Sequence, residues 1–246
     1  MSQTYRWNVA DHAAGYDAAA EIIHPHYVAI QEAILSQIAR PADAEFLLVD
    51  LGGGSGRLVE KFLDRFSQAT AIVIDQSEPF LEMAAERMAC FDGRGACQVA
   101  RLQDDWTWGL PHAPDVIVSM SAIHHLDAQE KQELYQRCYE VLEPLGILLN
   151  GDEIRAGDDR QYLGALKNWA EHMRQIAAAG LVNDAMRPML AKWEERNVTR
   201  FDQPRSSGDD CHETVEAQLG YFCACGFRSV DVPWREQMWA VMQGIK

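Results

Sequence analysis

No stretch of the sequence holds the ~20 consecutive apolar residues that a bilayer-crossing helix requires. Positive charge is scarce: 22 Lys and Arg stand against 37 Asp and Glu, a formal net charge of −15. A surface that negative repels phosphate backbones, which argues against nucleic acid as partner, as the lack of a long apolar run argues against a membrane. The chain has no internal repeat, no low-complexity tract and no CxxC pair. Its six cysteines, at 90, 97, 138, 211, 223 and 225, are irregularly spaced in 246 residues, enough to build a core without staples. Reduced thiols are therefore expected. Cys211, His212, Cys223 and Cys225 have metal-ligand chemistry but not metal-ligand spacing, so no metal is expected. The opening MSQTYRWNVADHAAGYD lacks the basic start and apolar core of a secretory signal, and a cytoplasmic location is expected.

What the chain does have is alternation. HPHYVAIQEAILSQIAR (24–40) reads as a helix with Tyr27, Ile30, Ile34 and Ile38 on one side, ended by Pro41. FLLVDL (46–51) is short, continuously apolar and stopped by glycine, the pattern of a buried strand. A helix over 57–66, a strand over 70–75, and a helix capped by Ser77 follow. Strands are expected over 97–102, 115–120 and 146–150. Asp127 and Glu130 form a capping box for the helix between the last two. Strand and helix alternating at this pitch imply parallel β-α-β units and a doubly wound sheet. The pattern breaks at Gly151. Tyr162, Leu166, Trp169, Met173 and Ile176 then mark one helix face, stopped by Gly180, and Met186 to Trp193 suggest a second helix. A helix over 213–224 leads into FRSVDV and QMWAVMQ, two strands joined so tightly that they must be antiparallel.

The chemistry begins at LVDLGGGSG. In open α/β sheets ligands sit outside the carboxyl ends of the strands. Glycine there lets a ligand lie directly on the backbone. A dinucleotide fingerprint needs G-x-G-x-x-G, and from Gly52 its third glycine would fall at Arg57. The sequence instead reads Asp50-x-Gly52-x-Gly54-x-Gly56. A carboxylate there suits an amino-acid ammonium, not a pyrophosphate.

These residues resemble the first motif of the class I S-adenosylmethionine-dependent methyltransferases. Asp75 ends the second strand, and LQDDW (102–106) and VSMSAIHHL (118–126) match later motifs of the family's small-molecule branch. The match covers roughly 45–150 and 213–246. The resemblance implies a doubly wound, mostly parallel seven-stranded Rossmann-like sheet with an antiparallel C-terminal hairpin. It divides a single domain (1–246) into a helical arm (1–41), a cofactor-binding core (42–155), a helical insert over the acceptor (156–212) and a closing helix and hairpin (213–246). It implies S-adenosyl-L-methionine as cofactor, S-adenosylhomocysteine as product, and methyl transfer to oxygen or nitrogen of a small molecule. Asp50, Gly52, Gly53, Gly54 and Gly56 would cradle the cofactor and Asp75, with Gln76 beside it, would take its ribose hydroxyls. Asp104, Asp105 and Trp106 would flank the adenine, and Ser119 and Met120 would follow the fourth strand. Tyr16, in GYD, would reach the carboxylate end. His124 and His125 lie over the methyl group in this fold. One of them could serve as a base, or pack against the cofactor and cap the next helix.

The parts outside the common sheet should make the acceptor pocket, with Tyr5, Trp7, Glu153 and Trp169 as its walls; packing within the insert is the competing reading for Trp169. HPH (24–26) reads as structure, since two histidines alone make a poor metal site. An exposed antiparallel edge and the helical lobe leave room for a homodimer. Two other readings keep the cofactor. One is a carboxy-S-adenosylmethionine synthase-like enzyme, for which Arg155 or Arg205 would hold the added carboxylate. The other is a binding protein without turnover.

Overall fold

The computed structural model describes residues 6–246, so Tyr5 lies outside the described residues. The parallel strands are β1 (Leu47–Leu51), β2 (Thr70–Asp75), β3 (Gly95–Val99), β4 (Val116–Met120) and β5 (Ile147–Glu153). β6 (Arg228–Glu236) and β7 (Trp239–Ile245) form the closing hairpin. The sheet order is β3-β2-β1-β4-β5-β7-β6, and β7 runs antiparallel to both neighbours. β1 is central and buried along its whole length, the environment its unbroken apolar run requires. Strand order reverses between β1 and β4, the place where such sheets bind ligands.

One sheet face is covered by α1 (Ala10–Ile23), α2 (Tyr27–Ser36), α3 (Arg57–Arg65) and α4 (Glu78–Met88). The other carries α5 (Ala128–Val141) and α8 (Val215–Cys225). Ser77 caps α4 by accepting from the Phe80 N–H, and Asp127 with Glu130 closes the capping box of α5. The insert holds α6 (Asp159–Ala178) and α7 (Arg187–Glu194), which runs into a wider turn over Glu195–Thr199. It is fastened to the arm: Trp169 Nε1 donates to the Ile23 carbonyl at 2.9 Å, and His172 Nε2 lies 2.7 Å from the Ile22 carbonyl. A Cβ at Gly15 would come within 3.0 Å of Asn183 and 3.2 Å of Met186, so glycine lets α1 pass close beneath the insert.

Three boundaries differ from the sequence reading. The predicted helix over 24–40 is shorter, α2 alone, starting at Tyr27 and ending at Ser36; His24–His26, around Pro25, form the break that separates it from α1. β3 starts and ends earlier than 97–102. β5 runs through Gly151 to Glu153, paired with β7 down to Glu153 opposite Trp239. Gly151 does not break the strand. A Cβ there would strike Ile30 Cγ2 at 2.7 Å and Ile34 Cδ1 at 2.8 Å, so the glycine admits α2 against the sheet. That extension carries Asp152 and Glu153 into the buried interior, where neither is exposed.

Candidate active site

A cavity of about 1290 Å³ opens at the carboxyl ends of β1, β2 and β4 and continues between the arm and the insert. Its first half is the glycine turn. Gly52, Gly54 and Gly56 have φ of 69°, 54° and 77°, the left-handed region that side chains disfavour. A Cβ on Gly54 would meet nothing within 4 Å, because that face of the turn looks into open space. Asp50 lies behind the turn, 1% exposed, and neither carboxylate oxygen has a hydrogen-bond partner. Burial, and then the charge of Asp75, push its pKa up to about 7. Asp75, at the end of β2, accepts from the Gly54 N–H (3.0 Å) and the Ser77 N–H (2.8 Å). Burial raises its pKa and these backbone donors oppose the rise.

The arm closes over this half. Trp7 packs on Tyr16 (4.8 Å between centroids) and on Phe80 (5.6 Å), and Ser77 Oγ donates to the Trp7 carbonyl at 2.6 Å. Tyr16 OH lies 2.9 Å from His24 Nε2. Arg57, the residue that spoils a dinucleotide fingerprint, donates through Nε to Asp17 Oδ1 (2.8 Å) and through Nη2 to the Asp17 carbonyl (2.8 Å). Ser55 Oγ donates to the same carboxylate. The helix that follows the glycine turn is thereby tied to α1. Burial opposes the Asp17 charge, but Arg57, Ser55 and Arg87 outweigh it and lower its pKa.

The second half has a polar floor. His124 sits in a short turn after β4, its Nδ1 2.6 Å from Asp152 Oδ1 and 2.7 Å from Glu153 Oε2. Burial works against its charge, yet Glu153 and Asp152 prevail and hold its pKa well above the ordinary value. Glu153 stays ionised: burial would raise its pKa, but His124 and His24 pull it well below the usual range. Neither Glu153 oxygen has a hydrogen bond of good geometry. Asp152 is pushed up to about 6, chiefly by burial, against the pull of His124. His125 falls to about 4 through burial and the neighbouring His124 charge, and His212 to about 3 for the same reasons. Asp210 lies 3.3 Å from His125 Nδ1 and 3.9 Å from His124 Nε2. Trp169, Trp193, Met173 and Met189 form the walls above.

Of the residues expected here, Trp7, Tyr16, Asp50, Gly52, Gly53, Gly54, Asp75, Gln76, Asp104, Met120, His124, His125, Glu153 and Trp169 line this one cavity. Four do not. Gly56 caps α3 from behind the turn. Ser119 is wholly buried and donates to the Leu51 carbonyl at 2.7 Å, tying β4 to β1. Asp105 turns outward to accept from Thr107, and Trp106 is fully buried in the core on the α5 side of the sheet. In LQDDW the polar residue points out and the apolar one points in, as burial favours. Trp169 answers to both of its readings: it is 6% exposed, packs on Trp193 (4.6 Å) and Trp239 (4.9 Å), and still lines the cavity. Asp17, Asp152 and Asp210 belong to the site without having been singled out, and His212, noted in the sequence only beside the cysteines, joins them. Each is separated in sequence from its partners by a turn or a whole insert, and no local spacing marks them. Cys211, Cys223 and Cys225 do not gather into a metal-binding group among the described residues.

Residues 49–148 match the methyltransferase domain family. The chain is 30% identical over 146 residues to an uncharacterized methyltransferase of Oceanobacillus iheyensis, covering 58% of this chain and 60% of that protein. It is 32% identical over 118 residues to a trans-aconitate 2-methyltransferase of Variovorax paradoxus, covering 47% of this chain and 40% of that one. The chain thus spans 60% and 40% of these relatives' length, less than two thirds of either. An O-methyltransferase family protein from Burkholderia thailandensis superposes with a TM-score of 0.66 over 98% of this chain and 61% of that one, at 17% identity, a likeness of fold.

Proposed function

The chain belongs to the class I S-adenosylmethionine-dependent methyltransferase family, and from that membership we propose that it transfers a methyl group from S-adenosylmethionine to an oxygen or nitrogen of a small molecule. The observation that carries the reading is Asp50, a buried carboxylate with both oxygens unpartnered, at the back of a glycine turn that faces open space. An orphaned buried charge is costly unless a ligand completes it. An ammonium supplies that completion, and Asp75 offers a bidentate acceptor to the paired ribose hydroxyls. The residues present fit the cofactor. Gly52, Gly53 and Gly54 would let it lie against the backbone, and Asp104 would face its base. When bound, the cofactor supplies an electrophilic methyl group on a sulfonium.

The chain's own work is to place the acceptor and manage its proton. Glu153 is ionised and buried beside the His124 cation, and neither of its oxygens has a hydrogen bond of good geometry, so it can orient an acceptor O–H or N–H, although its lowered pKa makes it a weak base. His124 is held protonated between two carboxylates, which makes it a poor base and a good anchor for Glu153. His125 is neutral near pH 7 and has a lone pair to offer. The arm and insert exclude water with Trp7, Trp169 and Trp193. Neither Arg155 nor Arg205 lines the cavity, and Arg155 pairs with Asp159, so neither candidate cation of the carboxylated-cofactor reading stands at the site.

The relatives named trans-aconitate 2-methyltransferase make small organic acids one acceptor class to test. The experiment is incubation of the purified protein with methyl-labelled S-adenosylmethionine and panels of acids, phenols and amines. Label in an acceptor together with S-adenosylhomocysteine supports the reading. S-adenosylmethionine bound but never demethylated would leave a binding protein, and no binding at all would remove the proposal.

A further inference from the structure

The floor of the cavity gathers three potential ligand atoms that neither the glycine turn nor Glu153 accounts for. His124, His125 and Asp210 each offer a ligand atom, and these atoms all lie within 4.8 Å of one another; His124 Nε2 and His125 Nδ1 both face Asp210 Oδ1. Two of the separations are 3.3 and 3.9 Å. Donor atoms bound at about 2.1 Å to one ion stand roughly 3.0–3.5 Å apart, so a contraction of a few tenths of an ångström to about one closes the set. We propose that His124, His125 and Asp210 bind a divalent transition-metal ion whose open positions face the acceptor half of the cavity.

Two independent features support this. The first is the donor set. Two imidazoles and one carboxylate on one side of an ion leave the other side free, an arrangement suited to iron, manganese, zinc or cobalt and unsuited to magnesium or calcium. The second is the outer support of two of the ligands. His124 presents its far nitrogen, Nδ1, to Asp152 at 2.6 Å, and Asp152 Oδ2 also accepts the His124 backbone N–H at 2.8 Å. That fixes the ring with Nε2 toward the cavity, as metal-binding histidines are fixed. Asp210 Oδ2 accepts from Asn197 Nδ2 at 2.6 Å, which leaves Oδ1 turned toward His125 and His124. Both Asp210 and His124 are more than nine-tenths buried. Without an ion, Asp210 faces His125, His124 and His212. His125 is the adjustable member: its Nδ1 is 3.3 Å from the Asp209 carbonyl, and its Nε2 is 3.3 Å from the Arg6 guanidinium, a contact at the exposed arm that must open when Nδ1 binds an ion. On the methyl-transfer reading, the ion would favour acceptors with an oxygen donor able to bind it.

The test needs no methyl donor, so it stands apart from that reading. Tag-free protein, stripped with chelator and desalted, is titrated with CoCl₂ and followed by visible absorption and calorimetry. The expected result is one ion per chain at micromolar affinity or tighter, with d–d bands in the visible. His125→Ala and Asp210→Asn should each weaken binding at least tenfold, and Asp152→Asn by about 10–100-fold. Cys223→Ser should not change it. Thermal unfolding checks that each variant is folded; His125, whose side chain is 26% exposed, is the substitution least able to disturb the fold and decides the matter if Asp210→Asn unfolds. No saturable cobalt binding by the wild type, or full affinity in His125→Ala, overturns the site.

Discussion

The backbone N–H of Gly54 donates to Asp75 Oδ2 at 3.0 Å, joining the glycine turn after β1 to the acid that ends β2. The other oxygen, Oδ1, takes the Ser77 N–H. Each carboxylate oxygen thus has a backbone donor, and Asp75 lines the cavity. The turn and the acid are one device, and the predictions start from it.

Asp75→Ala should weaken S-adenosylhomocysteine binding by about 2–3 kcal/mol, the range of hydrogen bonds to a charged group. Asp75→Asn should lose less, since it keeps an acceptor oxygen. Titration calorimetry of the two variants checks this; equal affinity in wild type and Asp75→Ala would take the ribose contact away from this residue.

Gly54→Val should leave the protein folded and abolish cofactor binding. Forcing a β-branched residue to φ of 54° costs about 1–2 kcal/mol, which lowers Tm by a few degrees. The added Cβ meets no protein atom within 4 Å and projects into open space. A variant that unfolds outright, or binds normally, contradicts this.

Asp50 gives the free protein a pH dependence of definite sign. Its carboxyl keeps a proton up to about pH 7 in the folded chain, against about 4 when unfolded. The folded state therefore binds more protons than the unfolded one between those values. This contribution to stability is complete below about pH 4 and is lost as pH rises through about 7. An ammonium ligand favours the ionised form, so cofactor affinity should rise over the same interval. Asp50→Asn should flatten both profiles, as urea unfolding and calorimetry at pH 5, 6, 7 and 8 would show.

His124 should carry protons on both ring nitrogens at pH 7 in metal-free protein, because Glu153 and Asp152 outweigh its burial. Nitrogen-15 NMR of labelled histidine reads this directly. Glu153→Gln should bring the His124 pKa down. A neutral ring in the wild type would return His124 to the list of bases.

The sheet was legible in the sequence because its signals are local. An apolar run stopped by glycine, a Ser77 cap and an Asp127–Glu130 box each need only a few neighbouring residues. The half around the glycine turn was legible for the same reason: Asp50, the glycines and Asp75 lie at strand ends, and strand ends put them together. Gly151 misled because a glycine in a strand and a glycine after a strand look alike; only the approach of Ile30 and Ile34 tells them apart. The half around His124 was largely hidden. His124 meets Asp152 and Asp210 across 28 and 86 positions, and those pairings are fixed by the extension of β5 and the return of the insert. Asp105 and Trp106 went astray because neighbouring residues in a loop face opposite ways, and burial decided which.

The most direct test is a crystal structure of the protein grown with S-adenosylhomocysteine. The ribose hydroxyls should lie on Asp75 and the amino group within hydrogen-bond or one-water reach of Asp50, with the chain passing over Gly54. Density for the nucleoside elsewhere, or a glycine turn left bare at saturating ligand, would contradict the assignment.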